Sequence, residues 1–202
     1  MTDPVDRAAV IAFQIDQLAS ANGHHAFEDI CFHLAKAEIT TNLLPATGPV
    51  SSGGDQGRDF ETYRGTIGNE DIAFSCTIQR DGLRAKITTD VKKITSTGEH
   101  VNAVVAMFSG DFPVGQRHAF IEQIRNAFGI RLQLHDRKWM ADKLAEEKNF
   151  WIAERFLAIP AEIGPGGAGY QQVLQRLDAR SDFDASLEML PFPAAQILAA
   201  ET

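Results

Sequence analysis

Apolar side chains recur about every 3.6 residues in several segments of the chain, which predicts amphipathic helices. The first two helices are predicted at 4–20 and 25–38, and Asn22-Gly23 between them is typical of a helix end. Further helices are predicted at 83–95, 115–127, 137–147 and 149–158.

Strands are predicted between these helices, at 58–66, 72–79, 101–108 and 130–134. Strand 72–79 turns Ala73, Ser75, Thr77 and Gln79 to one face and apolar side chains to the other. The uninterrupted apolar run 101–108 is typical of a buried central strand. Because helices and strands alternate after residue 80, the sequence predicts an α/β fold with a mixed central sheet and helices on both faces.

The composition of the chain changes near both ends of this pattern. Residues 1–22 form a predicted N-terminal helix, and 23–160 form the main domain. Residues 161–202 form a Gly/Pro-rich linker and a helical tail, which we interpret as a connection or the start of a further domain. Residues 40–57 are rich in Thr, Gly, Pro and Ser and are predicted to be a long loop.

Overall composition is compatible with a cytoplasmic protein that has a substantial core. Hydrophobic residues make up 44% of the 202 residues, yet no apolar run is long enough to span a membrane. The acidic N-terminus is unlike a secretory signal, and two cysteines, Cys31 and Cys76, are expected to be reduced thiols.

The net charge of −8 argues against a surface that is basic throughout. Residues 80–93 nevertheless carry a local positive excess, typical of either a DNA-facing surface or a solvated helix face.

The segment 53–60, Gly-Gly-Asp-Gln-Gly-Arg-Asp-Phe, places Asp59 at the start of a strand directly after a glycine-rich turn. A polar-faced strand and a basic helix follow. Phosphodiester cleavage needs a cation on the phosphate, an activated water and a positive group nearby, and this order of residues can supply them. Asp59 is interpreted as a ligand for Mg²⁺, with a turn-stabilising hydrogen bond as the alternative. For Asp55 the turn-stabilising interpretation is preferred.

These features resemble the PD-(D/E)xK nuclease superfamily, and within it the Mrr-like restriction endonuclease domains. The matching residues are 27–30 (Phe-Glu-Asp-Ile), the turn 53–59, strand 72–79 and 134–137 (Leu-His-Asp-Arg). The resemblance covers about residues 24–160. It implies a restriction-endonuclease-like fold with a helix–strand–strand–helix–strand core, and a metal-dependent DNA endonuclease activity.

The sequence departs from the family pattern on the second strand, where Glu or Gln, one residue and then Lys are usual. Ser75-Cys76-Thr77 stand there instead. We therefore expect Gln79, on the same strand face, to supply a side-chain oxygen, and Lys86 to supply the cation from the following helix.

The predicted site thus has catalytic residues Asp59, Gln79 and Lys86. The residues predicted to hold Mg²⁺, or Mn²⁺ in its place, are Asp59, Gln79, Glu28 and Thr77. The residues predicted to contact DNA phosphates are Arg58, Arg80, Arg84, Lys92 and Lys93. For Glu28, an exposed helix acid with no role is the alternative, and Arg58 can instead pair with Asp59.

Other chemistries receive less support from the sequence. The six histidines lack zinc-site spacing, and the glycine turn lacks the Gly-Lys-Ser/Thr ending of a nucleotide-binding loop. Trp139 and Trp151 are expected to pack between the closing helices and not to form a base-stacking platform.

The predicted function is a metal-dependent DNA endonuclease. The resemblance implies the effector module of a larger antiphage or restriction defence protein, working as a homo-oligomer or with a fused or associated sensor domain. The alternative is a catalytically inactive nuclease-fold domain that serves as a DNA-binding or oligomerisation scaffold, because the strand lysine is missing.

Overall fold

A computed structural model describes residues 4–45, 58–62, 70–96, 101–161 and 164. Helices α1 (Pro4–Ser20) and α2 (His24–Glu38) lead into strands β1 (Leu43–Pro45), β2 (Phe60–Thr62) and β3 (Ile72–Thr77). The chain then alternates through α3 (Leu83–Ser96), β4 (Ala103–Phe108), α4 (Val114–Phe128) and β5 (Arg131–His135). It closes with α5 (Arg137–Leu144) and α6 (Phe150–Leu157). The predicted glycine turn at 53–57, residues 63–69 and most of the predicted tail, 165–202, lie outside the described residues.

Within the described residues, one sheet has the strand order β1-β2-β3-β4-β5. The first three strands pair antiparallel, whereas β3, β4 and β5 pair parallel, so the sheet is mixed. The parallel connections pass through α3 and α4, which is the usual way to join parallel neighbours. Strand β1 was not predicted, because Leu43–Pro45 is too short for a periodic signal and lies in a loop-like composition.

Two buried clusters confirm the predicted α/β fold with helices on both faces of the sheet. One cluster joins α1, α2, α5 and α6 to the face that carries Phe60, Phe74 and Met107. The other joins α3 and α4 to the opposite face, which carries Ala73, Val104 and Ala106. The two sets alternate along β3 and β4, as the twofold period of a strand requires. Helix α3 therefore covers Ala73 and Ser75 on this face of β3, whereas Gln79, beyond the end of the strand, is exposed.

A sharp turn directs α3 back across β3. Gly82, directly before the helix, has a φ of 65°, a left-handed conformation that glycine adopts without strain. The turn places the first residues of α3 beside the carboxyl end of β3, where Lys86 N–H bonds the Gly82 carbonyl at 3.0 Å.

A polar network ties the end of α2 to the α5–α6 connection. The Glu38 carboxylate, whose side chain is only 9% exposed, pairs with Lys143 and Lys148 and accepts a hydrogen bond from Asn149 at 2.9 Å. Burial raises the Glu38 pKa, but the hydrogen bonds from Lys148, Asn149 and Lys143 outweigh it and lower the pKa to about 2. None of the described helices is long and apolar enough to cross a membrane.

Candidate active site

Asp59 lies at the entrance to β2, against the middle of β3. Its backbone N–H donates to the Phe74 carbonyl at 3.0 Å, and its carboxylate Oδ2 accepts the Cys76 N–H at 2.5 Å. The paired register of β2 and β3 ends at Phe60 and Phe74. The Asp59 side chain therefore takes the place of a strand carbonyl at Cys76, and this fixes the carboxylate against β3.

A buried acid that the sequence analysis did not select lies on the opposite side of β3. Asp90 in α3 has a side chain that is 2% exposed, and its Oδ2 accepts the Ser75 hydroxyl at 2.8 Å. Lys86 Nζ lies 2.8 Å from Asp90 Oδ1 and 2.7 Å from Oδ2. A buried carboxylate is stable only when it is paired and hydrogen-bonded, and Lys86 and Ser75 meet that need.

Asp59 and the Lys86–Asp90 pair thus attach to consecutive residues of one strand. Asp59 binds the backbone of Cys76, and Asp90 binds the side chain of Ser75. Consecutive Cα atoms are about 3.8 Å apart, so both attachments lie within the same short section of β3. Of the three predicted catalytic residues, Asp59 and Lys86 therefore attach to the same section of β3, Lys86 through Asp90 on the face that α3 covers. We call Asp59, Ser75, Lys86 and Asp90 the β3 cluster.

Glu28 and the two thiols lie on the α2 side of this section. Burial raises the pKa of the Cys31 thiol and raises that of Cys76 well above its ordinary value, and the negative charges of Asp59 and Glu28 raise both further. Glu28, with a side chain 43% exposed, also has its Oε2 3.6 Å from His25 Nδ1. The cysteines are free and protonated at neutral pH, so they are unsuited to act as nucleophiles or metal ligands.

Gln79 and Thr77 form the turn between β3 and α3. The Thr77 hydroxyl accepts the Gln79 N–H at 3.1 Å, and the Gln79 amide donates to the Asp81 carbonyl. These contacts direct the exposed Gln79 side chain into the turn. The structure therefore gives Gln79 a turn-stabilising position, and it does not bring Gln79 to Asp59.

The predicted DNA-contacting residues occupy three different environments. Arg58 is 5% exposed, and its guanidinium bonds Glu61 at 2.6 Å and the Ile94 carbonyl at 3.4 Å, which ties β2 to the end of α3. Such a buried guanidinium is not positioned for a phosphate in the surrounding solvent. Lys92 and Lys93, in contrast, are exposed on α3.

Arg80 and Arg84 are exposed but take part in contacts at the carboxyl end of β3. Arg80 pairs with Asp16 of α1, with a nitrogen–oxygen distance of 3.0 Å. Arg84 donates to Gln116 of α4 at 2.7 Å. It also lies over two aromatic rings of that region, at 5.8 Å from each centroid. Contact with a phosphate would require either arginine to exchange these partners.

In the described part of the chain, no group of three or more His, Cys, Asp or Glu side chains is arranged to hold a metal ion. This finding gives no support to a zinc-type centre, which takes three or four protein ligands. Mg²⁺ differs, because it keeps several of its own waters and usually takes only one or two carboxylates. The oxygens of Asp59 and Asp90 are of the chemical type that Mg²⁺ prefers.

Asp90 could have been found from the sequence by its position within the helix. It follows Ile87 by three residues and precedes Ile94 by four, so it lies on the buried stripe of α3. A charged residue on such a stripe is seldom buried without a partner. Its partner Lys86 is four residues earlier, which is the spacing at which helical side chains meet.

Comparison with known proteins adds no relative to these observations, since no family model and no curated protein matches the chain.

Proposed function

We propose that this protein is a metal-dependent endonuclease that hydrolyses DNA phosphodiester bonds at the β3 cluster. The observation that carries the proposal is the attachment of Asp59 and of the Lys86–Asp90 pair to adjacent residues, Cys76 and Ser75, of one central strand. This arrangement brings carboxylate oxygens and an ammonium group to one short section of β3, and a hydrated Mg²⁺ ion and a phosphate require both kinds of group.

The chain topology also supports the proposal. Helix α2 precedes three antiparallel strands, and α3 then crosses to the parallel strand β4. The resemblance to PD-(D/E)xK nucleases implies a helix–strand–strand–helix–strand core, in which the second strand usually carries Glu or Gln, one residue and then Lys. Fold alone does not define an activity, so the site residues carry the argument.

Asp59 is the residue best placed to hold Mg²⁺ or Mn²⁺. Its carboxylate is half-buried and is oriented by the Cys76 N–H. Asp90 would act through Lys86, whose ammonium it binds, and Glu28 would be an outer group that positions water. When bound, the ion would neutralise phosphate charge and make a coordinated water more acidic.

Lys86 is the proposed electrostatic partner of the scissile phosphate. Asp90 orients its ammonium through both carboxylate oxygens, while the lysine side chain remains 36% exposed and so can reach a substrate. Water attacks phosphorus and releases a proton to the solvent, the bond to the leaving oxygen breaks, and that oxygen takes up a proton from the solvent. The Lys86 charge stabilises the negative charge that grows during this step.

Lys92 and Lys93, on the exposed surface of α3, would contact the DNA backbone. Cutting both strands of a duplex requires two such sites, so we include a homo-oligomer, or association with a fused sensor domain, in the proposal. A role as the effector of a defence protein in the cytoplasm fits the free thiols of Cys31 and Cys76.

Plasmid nicking tests the proposal. Supercoiled DNA is incubated with the protein and Mg²⁺, Mn²⁺ or a chelator, and conversion to the nicked and linear forms is followed. We expect metal-dependent nicking that Asp59→Asn abolishes and that Lys86→Ala lowers at least about a hundredfold, the usual cost of one electrostatic group at a reaction centre. Asp142→Asn and Lys138→Ala, exposed residues of α5, are matched controls that should nick normally.

A second candidate function, a non-catalytic DNA-binding or oligomerisation scaffold, is favoured by one observation. Both oxygens of Asp90 engage Lys86, and β3 itself carries Ser75-Cys76-Thr77 without a lysine. DNA retention without nicking in any metal, unchanged in Asp59→Asn, would favour the scaffold over the nuclease.

A further inference from the structure

One exposed and two half-buried aromatic side chains lie together where α2 and α6 meet at the surface. Trp151 in α6 is 43% exposed, so the prediction that it is part of the core is wrong. Its ring lies 5.1 Å from the His33 ring in an edge-to-face arrangement, and His33 stacks on Phe156 at 5.4 Å. We call Trp151, His33 and Phe156 the aromatic platform.

Two cations flank the aromatic platform. Arg155 follows Trp151 by one helical turn, and its guanidinium lies 5.3 Å from the Phe156 ring centroid. Lys36 follows His33 by one turn of α2 and is exposed. Three charges act on His33: that of Asp29 is negative, and those of Arg155 and Lys36 are positive. The side of the platform with Arg155 and Lys36 is therefore positive on a chain whose net charge is −8.

Ring contacts connect the aromatic platform to the candidate active site. His33 is 5.6 Å from Phe32, and Phe32 is 5.4 Å from Phe60, which directly follows Asp59 in the chain. Phe60 is only 2% exposed, so these contacts run through the core and place the platform on the α2 side of the sheet, where the charge of Asp59 also acts on Cys31. A DNA strand held at Asp59 would extend over the surface of α2 to reach the platform.

We infer that the aromatic platform binds an unpaired nucleobase of single-stranded DNA, with Arg155 and Lys36 contacting the adjacent phosphates. Base stacking on exposed aromatic rings beside cations is the usual way in which proteins hold single strands without reading their sequence. Trp, Phe and Arg are also enriched at protein–protein interfaces, so a protein contact is one of the outcomes that the test distinguishes. The inference rests on the proposed function, since the strand held here would be the one cut at Asp59.

The two tryptophans of the chain allow a direct binding measurement. Trp139→Phe leaves Trp151 as the only tryptophan. Its fluorescence is titrated with a short oligothymidylate in the presence of a chelator, so that no cleavage occurs. We expect saturable quenching that weakens steeply as salt is raised, because phosphate contacts release counterions.

Affinities of variants are measured with the same oligonucleotide, labelled for fluorescence anisotropy. Trp151→Ala should weaken binding about tenfold, and Trp151→Phe, which keeps a ring, much less. Arg155→Gln should weaken binding several-fold and reduce the salt dependence. Phe13→Ala, which removes the 59% exposed phenylalanine of α1, is the matched control and should bind normally.

The outcomes separate this inference from the proposed nuclease activity. Unquenched Trp151, or equal affinity of Trp151→Ala and the parent, overturns the inference even if Asp59-dependent nicking is observed. The inference is also overturned if Trp151→Ala has a different molecular mass in solution from the parent protein but the same affinity for the oligonucleotide. That result would identify the platform as a protein–protein contact. If Trp151 is quenched and the variants bind as expected, but no metal supports nicking, the inference stands and the proposed nuclease activity is refuted.

Discussion

Replacing Asp90 by asparagine removes a buried charge that holds Lys86 and Ser75 together. Asparagine keeps the shape, but its amide is a weaker acceptor for the Lys86 ammonium and the Ser75 hydroxyl. A hydrogen bond to a charged group contributes about 1.5–3 kcal/mol, and breaking a buried pair costs about 3–5 kcal/mol. Because Lys86 is 36% exposed and can be rehydrated, we expect Asp90→Asn to lower the free energy of unfolding by about 2 kcal/mol.

A urea titration at neutral pH measures this loss, which corresponds to a fall in Tm of about 4–8 °C for a chain of this size. A double-mutant cycle with Lys86→Met and Asp90→Asn isolates the pair, and we expect a coupling of about 1 kcal/mol or more. Asp142→Asn, an exposed acid of α5, is the control and should change the free energy of unfolding by less than about 0.5 kcal/mol.

The reasoning would be refuted by an Asp90→Asn variant as stable as the parent, or by additive effects of the two substitutions. Either result would mean that Asp90 does not hold Lys86 in solution. The nicking activity of Asp90→Asn adds a second readout, because a lysine that has lost its orienting partner should stabilise the reaction less. We expect activity to fall by about tenfold or more while metal dependence is retained.

Three further predictions concern the fold and the Cys31 thiol. The folded pKa of Glu38 is about 2 and its ordinary value is 4.5, so the stabilisation that Glu38 contributes is present above pH 4.5 and is lost as pH falls toward 2. Glu38→Gln should therefore lower the free energy of unfolding by about 1–2 kcal/mol at pH 7, a value discounted for the exposed lysine partners, and by almost nothing near pH 2. Equal losses in urea titrations at both pH values would contradict this expectation. Phe74→Ala, which removes a fully buried ring stacked 4.6 Å from that of Phe60, should lower the unfolding free energy by about 3–5 kcal/mol; a loss below about 1 kcal/mol would show that the Phe74 ring is not in the core. Cys31 should react with a thiol reagent in the native state far more slowly than in urea, because its side chain is fully buried and burial raises the pKa of the thiol, and rapid native labelling of Cys31 would contradict that burial.

Helical and strand periodicity predicted most of the fold because both signals are local. The predicted helix at 83–95 and the observed α3 at Leu83–Ser96 differ by one residue, since the stripe of Leu83, Ile87, Val91 and Ile94 repeats at the helical period. Strand β1 was missed for the opposite reason, because three residues are too few to show a period and pairing with β2 determines the strand.

The site was predicted less completely because its contacts join distant segments. Asp59 and Lys86 were selected from the sequence, but Asp90 was counted only as a charge offset by nearby lysines. Its burial depends on how α3 packs over Ser75, fifteen residues earlier. The Gln79 prediction assumed that the strand continued through residue 79, whereas β3 ends at Thr77 and Gln79 belongs to the turn.

An anomalous-scattering crystal structure of the protein with Mn²⁺ tests the central claim most directly. The β3 cluster predicts a manganese peak bonded to the Asp59 carboxylate, beside the Cys76 section of β3. Asp59→Asn crystals should lose that peak. A manganese peak elsewhere, or none at saturating metal while the protein still nicks DNA, would contradict the assignment of the active site to Asp59 and Lys86.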